Sequence, residues 1–335
     1  MTVLLAAPVI VKVLGSLALL LILNAIFKRL GISLAVATCV LAAWCGFSVQ
    51  AAAGIAWNRL AARDNLMLLV VVFQVIALSL QMSETGVMND LVEAVRSRLS
   101  QRAAMAVLPA VIGLLPMPGG ALFSAPLVGD IDRHDEVDAT LKAQINYWFR
   151  HIWEYWWPLY PGVLLAVAIS GLEIWQLILL HLPFTAVSVA AGSVFFLRRV
   201  APGETSGRAF HSLFNRDFFL LLMPVLVVIG VYLTVRLLLP WLAGWSRYLP
   251  MALGIFIAMG VLQLQRPAGS QAWKRILLNK KMLVMAGLVC LVRIYGAFIE
   301  ARLPSGEYLV EAMRSEMAAW GIPVLLVMMV IPLVS

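Results

Sequence analysis

Long apolar segments separated by short polar loops dominate this chain of 335 residues. A hydrocarbon core of about 30 Å is crossed by about 20 helical residues, and a spanning helix satisfies its own backbone groups there. The segments therefore predict an all-α polytopic membrane protein. They lie at 3–26, 31–48, 65–82, 155–172, 174–196, 217–239, 249–264 and 282–299.

Lysine and arginine are unevenly distributed between the loops, and short cytoplasmic loops are the ones that retain them. If residues 103–129 enter and leave on one side, one set of loops carries 17 basic residues and the opposite set carries 5. The basic set is predicted to be cytoplasmic: 27–30, 83–102, 130–154, 197–216 and 265–281. This topology explains most of the net charge of +8, so nucleic-acid binding is not needed to explain that charge. The expected partners are the lipid bilayer and a small anionic substrate. A homodimer remains open.

The apolar stretch 103–129 is broken by a run of prolines and glycines, which disfavour a continuous helix. The run is Pro116, Met117, Pro118, Gly119 and Gly120. We predict a re-entrant helical hairpin, the alternative being a loop between two short spans. Irregular backbone at membrane depth normally lines a site, where amide ends can bind an anion and carbonyls can bind sodium. A sodium ion would use Gly119, Gly120 and Ser124; the sequence predicts no other metal site.

A seven-residue sequence occurs twice, and most of the chain lies between the two copies. LVEAVRS at 91–97 returns as LVEAMRS at 309–315, and the predicted topology places the two copies on opposite sides. This arrangement predicts an inverted-repeat transporter, although two similar amphipathic surface helices can also arise by coincidence. The predicted organisation is N-terminal scaffold spans at 1–64, a first repeat core with the hairpin at 65–172, linking and second-repeat scaffold spans at 173–264, and a second repeat core at 265–335 that stops at its hairpin tip.

Seven tyrosines and tryptophans crowd between Asn146 and Pro161 around Arg150, His151 and Glu154. One interpretation is an interfacial aromatic anchor. The other is that Arg150 and His151 guard the cytoplasmic mouth of an anion site, with Glu154 pairing to Arg150 and His151 serving proton coupling.

Arg293 lies inside the apolar segment 282–299. An arginine there usually faces a partner or a cavity, so we include it among the candidate site residues.

The motifs LLPMPGGALFSAPLVGD and NYWFRHIWEYWWPLYPG resemble those of an uncharacterised prokaryotic membrane protein family placed in the Ion Transporter superfamily, with carriers of citrate, dicarboxylates and arsenite. The resemblance implies a site at two hairpin tips and at the helix breaks that follow them. Its positions here are 116–120 with Ser124, 157–162, and 332–335, which includes Pro332 and Ser335. Whether the chain naturally ends at Ser335 is open.

The sequence predicts a secondary active transporter in the prokaryotic inner membrane that moves a small anion, with an organic carboxylate favoured, by alternating access. Coupling to sodium or protons is expected, and no cofactor is. An enzyme is not expected, because the zinc helix HExxH, the GxSxG elbow, the Walker loop and GxGxxG in strand context are absent from the sequence. The alternatives are an ion channel, a cation/proton antiporter and a non-transporting scaffold.

Overall fold

The computed structural model describes residues 7–96, 99–114, 120–132, 136–201 and 216–321. Helices make up most of these residues. The only strand-like pairing in this part of the chain is an isolated antiparallel bridge between Arg302 and Tyr308. The predicted all-α class is therefore confirmed.

The helices follow one another with short connections. In chain order they are α1 (Val9–Phe27), α2 (Leu30–Trp44), α3 (Val49–Ala61), α4 (Arg63–Glu84), α5 (Val87–Arg96), α6 (Gln101–Gly113), α7 (Gly120–Ile131), α8 (Ala139–Arg150), α9 (Pro161–Ser170), α10 (Ile174–Phe195), α11 (Arg216–Leu238), α12 (Pro240–Trp245), α13 (Leu249–Gln265), α14 (Ser270–Leu277), α15 (Lys280–Ile299) and α16 (Leu309–Ala319). A 3₁₀ turn at Leu197–Arg199 follows α10.

Five helical segments among the described residues are long and apolar enough to cross a membrane, and they fit a multi-pass integral membrane protein. They are Val9–Phe27, Arg63–Glu84, Ile174–Arg199, Phe218–Leu238 and Ser270–Ile299. The predicted spans 31–48 and 249–264 form shorter helices of 15 and 17 residues.

The predicted continuous span 155–172 is wrong. Residues 151–160 form turns, and the helix begins only at Pro161. Proline lacks an amide donor but suits the first turn of a helix, so Pro161 starts α9 rather than continuing an earlier helix.

The chain divides into two compact units, the first of which comprises residues 1–69 and 283–335. Helix α1 packs on α2 and on α16. The carboxylate of Glu316 accepts hydrogen bonds from the backbone amides of Val9 at 2.8 Å and Ile10 at 2.9 Å. Glu316 thus supplies acceptors to the first turn of α1, whose amides have no partner within the helix.

The second unit comprises residues 70–282. Helices α11 and α13 pack along each other, and α6, α7 and α8 all pack against one another. Helix α8 also contacts α10. The buried side chains of Met105, Val128, Ile145 and Phe149 belong to one core cluster, so apolar packing joins α6, α7 and α8.

The two ends of the broken stretch 101–132 come together. Helices α6 and α7 pack against each other on either side of the break, and Gln101 Nε2, at the start of α6, donates to Asp132 Oδ1 at 3.1 Å just after α7. The chain therefore enters and leaves this helix pair at the same end.

Asp132 stabilises the end of the α6–α7 pair where the chain enters and leaves. Its buried carboxylate accepts hydrogen bonds from the amides of Glu136 at 3.1 Å and Val137 at 2.9 Å, and lies 2.8 Å from Lys142 Nζ. Burial raises the pKa of Asp132, but Lys142 and the two amides outweigh burial and hold the pKa below its ordinary value.

The described residues 91–96 of the first copy lie on the amphipathic helix α5, and the second copy lies at the start of α16. Leu91 and the equivalent Leu309 are buried, whereas Val92 is buried and its equivalent Val310 is exposed. The copies thus share a helical conformation but bury somewhat different faces. Their inverted relation stays a prediction.

We expect equivalent positions of the two copies to be labelled from opposite sides of the membrane. Glu93 and Glu311 are both exposed, and each can be changed to cysteine in a variant whose native Cys39, Cys45 and Cys290 are replaced by alanine. A membrane-impermeant maleimide should label Glu311→Cys in intact spheroplasts and Glu93→Cys only after permeabilisation. Labelling of both variants from one side would refute the inverted topology.

We expect Asp132→Asn to lower the free energy of unfolding by about 2 kcal/mol at neutral pH, because charge-assisted hydrogen bonds are lost. A depressed folded-state pKa stabilises the fold above the unfolded value near about pH 4 and ceases to do so as the pH falls through the folded value. The difference from wild type, measured by denaturant unfolding in detergent, should therefore shrink on acidification. Asp130, which is exposed, provides the matched control: Asp130→Asn should have little effect, and an equal loss there would contradict the role of Asp132.

Candidate functional site

The carbonyl end of α6 is held by aromatic side chains from residues 153–160. The last carbonyls of a helix have no partner within it, and here three of them accept hydrogen bonds from indole or phenol groups. The pairs are Trp153 Nε1 to Ala110 O at 2.8 Å, Trp157 Nε1 to Leu114 O at 2.7 Å, and the Tyr160 hydroxyl to Gly113 O. The two motifs singled out in the sequence are thus physically joined.

The aromatic segment can reach these carbonyls because it is not helical. Helix α8 ends at Arg150, and turns follow as far as Tyr160. Its other side is fixed to α10, where Trp156 Nε1 donates to Thr185 Oγ1 at 2.8 Å and the Thr185 hydroxyl donates to the Ile152 carbonyl at 2.7 Å. Trp148 Nε1 also donates to the Ser188 carbonyl at 2.8 Å. These contacts hold the segment between α6 and α10.

Gly113 allows α6 to meet the end of α8 directly. A Cβ atom on Gly113 would lie 3.0 Å from the carbonyl carbon of Arg150 and would overlap the carbonyl oxygen. Only glycine fits such a close backbone approach. Gly113 therefore places the backbone of Arg150 at the broken end of α6.

The guanidinium of Arg150 is buried, and none of the residues that the structure describes supplies it with a countercharge. The residue is 6% exposed, and its Nη1 atom has no hydrogen-bond partner among the described residues. Arginine is rarely buried unless it is paired, and an unpaired buried charge is costly. This makes Arg150 the strongest ligand-binding candidate in the described part of the chain.

The sequence suggested that Glu154 pairs with Arg150. In the structure Glu154 pairs with His151 instead. The helix stops at Arg150, so the expected one-turn spacing between residues 150 and 154 is lost. His151 Nε2 lies 3.5 Å from Glu154 Oε1, and His151 Nδ1 donates to the Tyr147 carbonyl. Both side chains are partly exposed, so this pair lies at a wetter position than Arg150.

The remaining candidates of the first hairpin are described only in part. Gly120 is the first residue of α7 and Ser124 is buried within that helix. Pro116, Met117, Pro118 and Gly119 lie outside the described residues. The sodium site expected at Gly119, Gly120 and Ser124 therefore stays a prediction.

Arg293 belongs to the first unit and Arg150 to the second. Arg293 Nε donates to Asn65 Oδ1 at 3.2 Å, and the buried Asn65 also donates through Nδ2 to the Leu60 carbonyl at 3.3 Å. The expected polar partner of Arg293 is thus Asn65, at the start of α4. Pro332 and Ser335 lie outside the described residues.

Sequence reasoning missed Gly113 and the bonding role of Trp153, Trp157 and Tyr160. The sequence did contain one signal. A helix that breaks before a Pro-Met-Pro-Gly-Gly run needs hydrogen-bond donors for its last carbonyls. Buried indole and phenol groups need acceptors, so the two could be expected to pair. The interfacial-anchor interpretation describes only part of the segment, since Tyr147 and Tyr155 are exposed while the four tryptophans bond within the protein.

Residues 10–335 match the family described as "Protein of unknown function (DUF401)", so the chain belongs to that family. Searches against curated proteins and against solved structures find no match.

Glycine-to-alanine substitutions should separate the close approach at Gly113 from ordinary helix effects. We expect Gly113→Ala to lower the free energy of unfolding by about 1–3 kcal/mol, because overpacking against the Arg150 backbone forces α6 and α8 apart. Gly129 in α7 has open space around its Cβ position, so Gly129→Ala should be neutral or stabilising by up to about 1 kcal/mol.

Both variants can be compared by thermal unfolding in the same detergent. Equal melting temperatures for Gly113→Ala and Gly129→Ala would contradict the close packing of α6 on α8.

Proposed function

We propose that this DUF401 protein is a secondary active transporter of a small anion, an organic carboxylate, coupled to sodium or protons by alternating access in a prokaryotic cytoplasmic membrane. The observation that carries the proposal is the buried guanidinium of Arg150, which has no countercharge among the described residues and whose backbone packs on Gly113 at the broken end of α6.

A carboxylate ligand would offset the free-energy cost of burying the unpaired charge of Arg150. The planar guanidinium offers parallel N–H groups that match the two oxygens of a carboxylate. Water exclusion strengthens such a pair once it forms. No described protein group accepts a hydrogen bond from Nη1 of Arg150, so this atom can donate to an anion.

The polarity of the surrounding groups also favours an anion. Three carbonyl oxygens at the end of α6 already accept hydrogen bonds from Trp153, Trp157 and Tyr160, which reduces the negative potential of that helix end. Helix α7 begins at Gly120 with its amide end directed toward the break, and a helix N-terminus carries positive partial charge. A cation site would need free oxygens in place of these donors.

Contacts between loops support the re-entrant interpretation. Gln101 bonds to Asp132, and Arg102 Nε donates to the Val200 carbonyl at 2.8 Å. All of these residues lie in or beside loops that the basic-residue distribution assigns to the cytoplasm. A segment that crossed the membrane fully would place residues 101 and 132 on opposite sides.

Two further features bear on the coupling ion and on the second half of the site. The His151–Glu154 pair offers a position where a proton can be shared, which suits proton coupling. The second repeat copy on α16 and the resemblance to the Ion Transporter superfamily support an inverted second repeat core, whose expected hairpin tip lies outside the described residues.

Uptake into proteoliposomes tests the proposal. A panel of labelled mono-, di- and tricarboxylates should include at least one that accumulates when a sodium or proton gradient is imposed. Voltage-driven current without gradient coupling would favour a channel, and chemical turnover of the labelled compound would favour an enzyme. Absence of gradient-dependent uptake across the panel would count against the proposal.

Arg150→Met should separate function from stability. We expect uptake to fall about 100-fold, because losing a buried charged contact costs several kcal/mol. The melting temperature of the ligand-free protein should stay the same or rise, because an uncompensated buried charge is replaced by an apolar side chain. Initial uptake rates and thermal unfolding in detergent provide the two measurements.

Arg198 is an exposed arginine in the same unit, so Arg198→Met is the matched control and should leave uptake unchanged. A lower melting temperature with normal uptake in Arg150→Met would assign Arg150 a structural role.

A further inference from the structure

The segment between α13 and the start of α15 combines positive charge with exposed leucines. Residues 265–281 contain five basic residues and no acidic residue. The amphipathic helix α14 forms the middle of this segment, and its ends join two apolar helices. Such a position places α14 where the chain passes from the apolar region into water.

One face of α14 is fixed to its own unit. Ile276 is buried, and Arg275 forms an ion pair with Glu84 at 2.6 Å. Arg266, just before the helix, pairs with Asp90 at 2.6 Å. Trp273 Nε1 donates to Gln263 Oε1 at 3.2 Å. These contacts orient the helix and leave the opposite face free.

That opposite face presents leucines around a lysine. Residues three and four positions apart share a helix face, so Leu277 and Leu278 lie on either side of Lys274. The leucines are 52% and 75% exposed, and Lys274 is exposed too. The ammonium groups of Lys274 and of the exposed Lys280 have no hydrogen-bond or ion-pair partner within the described ranges.

We propose that Lys274, Leu277, Leu278 and Lys280 form a docking site for an anionic phospholipid of the cytoplasmic leaflet. The ammonium groups bind the headgroup phosphate, and the leucines contact the adjoining acyl chains. Contact with water is unfavourable for the exposed leucines. Zwitterionic lipid has no net negative charge to balance the two lysines. Lysine side chains extend readily toward headgroups from a position at the apolar boundary, and basic residues there attract anionic lipids. The site is independent of the proposed transport function.

Native mass spectrometry of the purified full-length protein tests this site by comparing phosphatidylglycerol with phosphatidylcholine of identical acyl chains. We expect wild type to prefer phosphatidylglycerol. In Lys274→Gln/Lys280→Gln that preference should fall roughly 25-fold, since each lysine near an anionic surface contributes about 1 kcal/mol. The charge-preserving variant Lys274→Arg/Lys280→Arg should retain the preference.

The control variant Arg198→Gln/Arg199→Gln removes two exposed charges from another loop of the same unit, and it should keep the wild-type preference. The proposal is overturned if the double lysine variant keeps that preference, or if the control variant loses as much. Displacement of the lipid by inorganic phosphate would also overturn it, because it would indicate a site for a soluble anion. Melting temperatures in phosphatidylcholine verify that each variant is folded.

Discussion

The carbonyl groups at the end of α6 need hydrogen-bond donors, because a helix that stops in apolar surroundings has neither a next turn nor bulk water to satisfy them. The donors are the indole groups of Trp153 and Trp157 and the hydroxyl of Tyr160. These side chains can reach α6 only because residues 151–160 form turns. The break in one helix therefore requires the break in the other, and the two motifs form one structural feature.

The hydrogen bonds at the end of α6 also favour the proposed anion over a cation at the α6–α7 pair. Trp153, Trp157 and Tyr160 donate hydrogen bonds to carbonyl oxygens of α6. Fewer lone pairs of those oxygens are then left to coordinate a cation. Gly113 brings the backbone of Arg150 against the same helix end, so the residue that carries the buried charge is anchored where the carbonyls already accept hydrogen bonds. The proposed anion site thus rests on the hydrogen bonding of the backbone as much as on one arginine.

Much of the fold could be predicted, because long apolar segments have one viable structure in a membrane. The predicted spans 65–82, 174–196 and 217–239 correspond to α4, α10 and α11 within about two residues at each end. The span 155–172 failed because its apolar and aromatic composition resembles a helix, while Pro158 and Pro161 and the distant carbonyls of α6 decide its conformation. The candidate site was harder to predict. Arg150 was identified from local composition, but its burial, its separation from Glu154 and its contact with Gly113 arise from packing between α6 and α8.

A buried arginine can also be explained by structural pairing, and the chain contains the residue that such pairing would use. Glu154 lies four positions after Arg150, close enough for one continuous helix to bring the two side chains together. Instead α8 ends between them, and Glu154 turns to the partly exposed His151. Arg293 shows the contrasting case, in which a polar partner, Asn65, is supplied by the fold. A fold selected only for stability would gain by extending α8 one turn or by replacing Arg150 with an apolar residue. Keeping the charge buried and unpaired with Glu154 is explained if a ligand supplies the countercharge that the described residues do not.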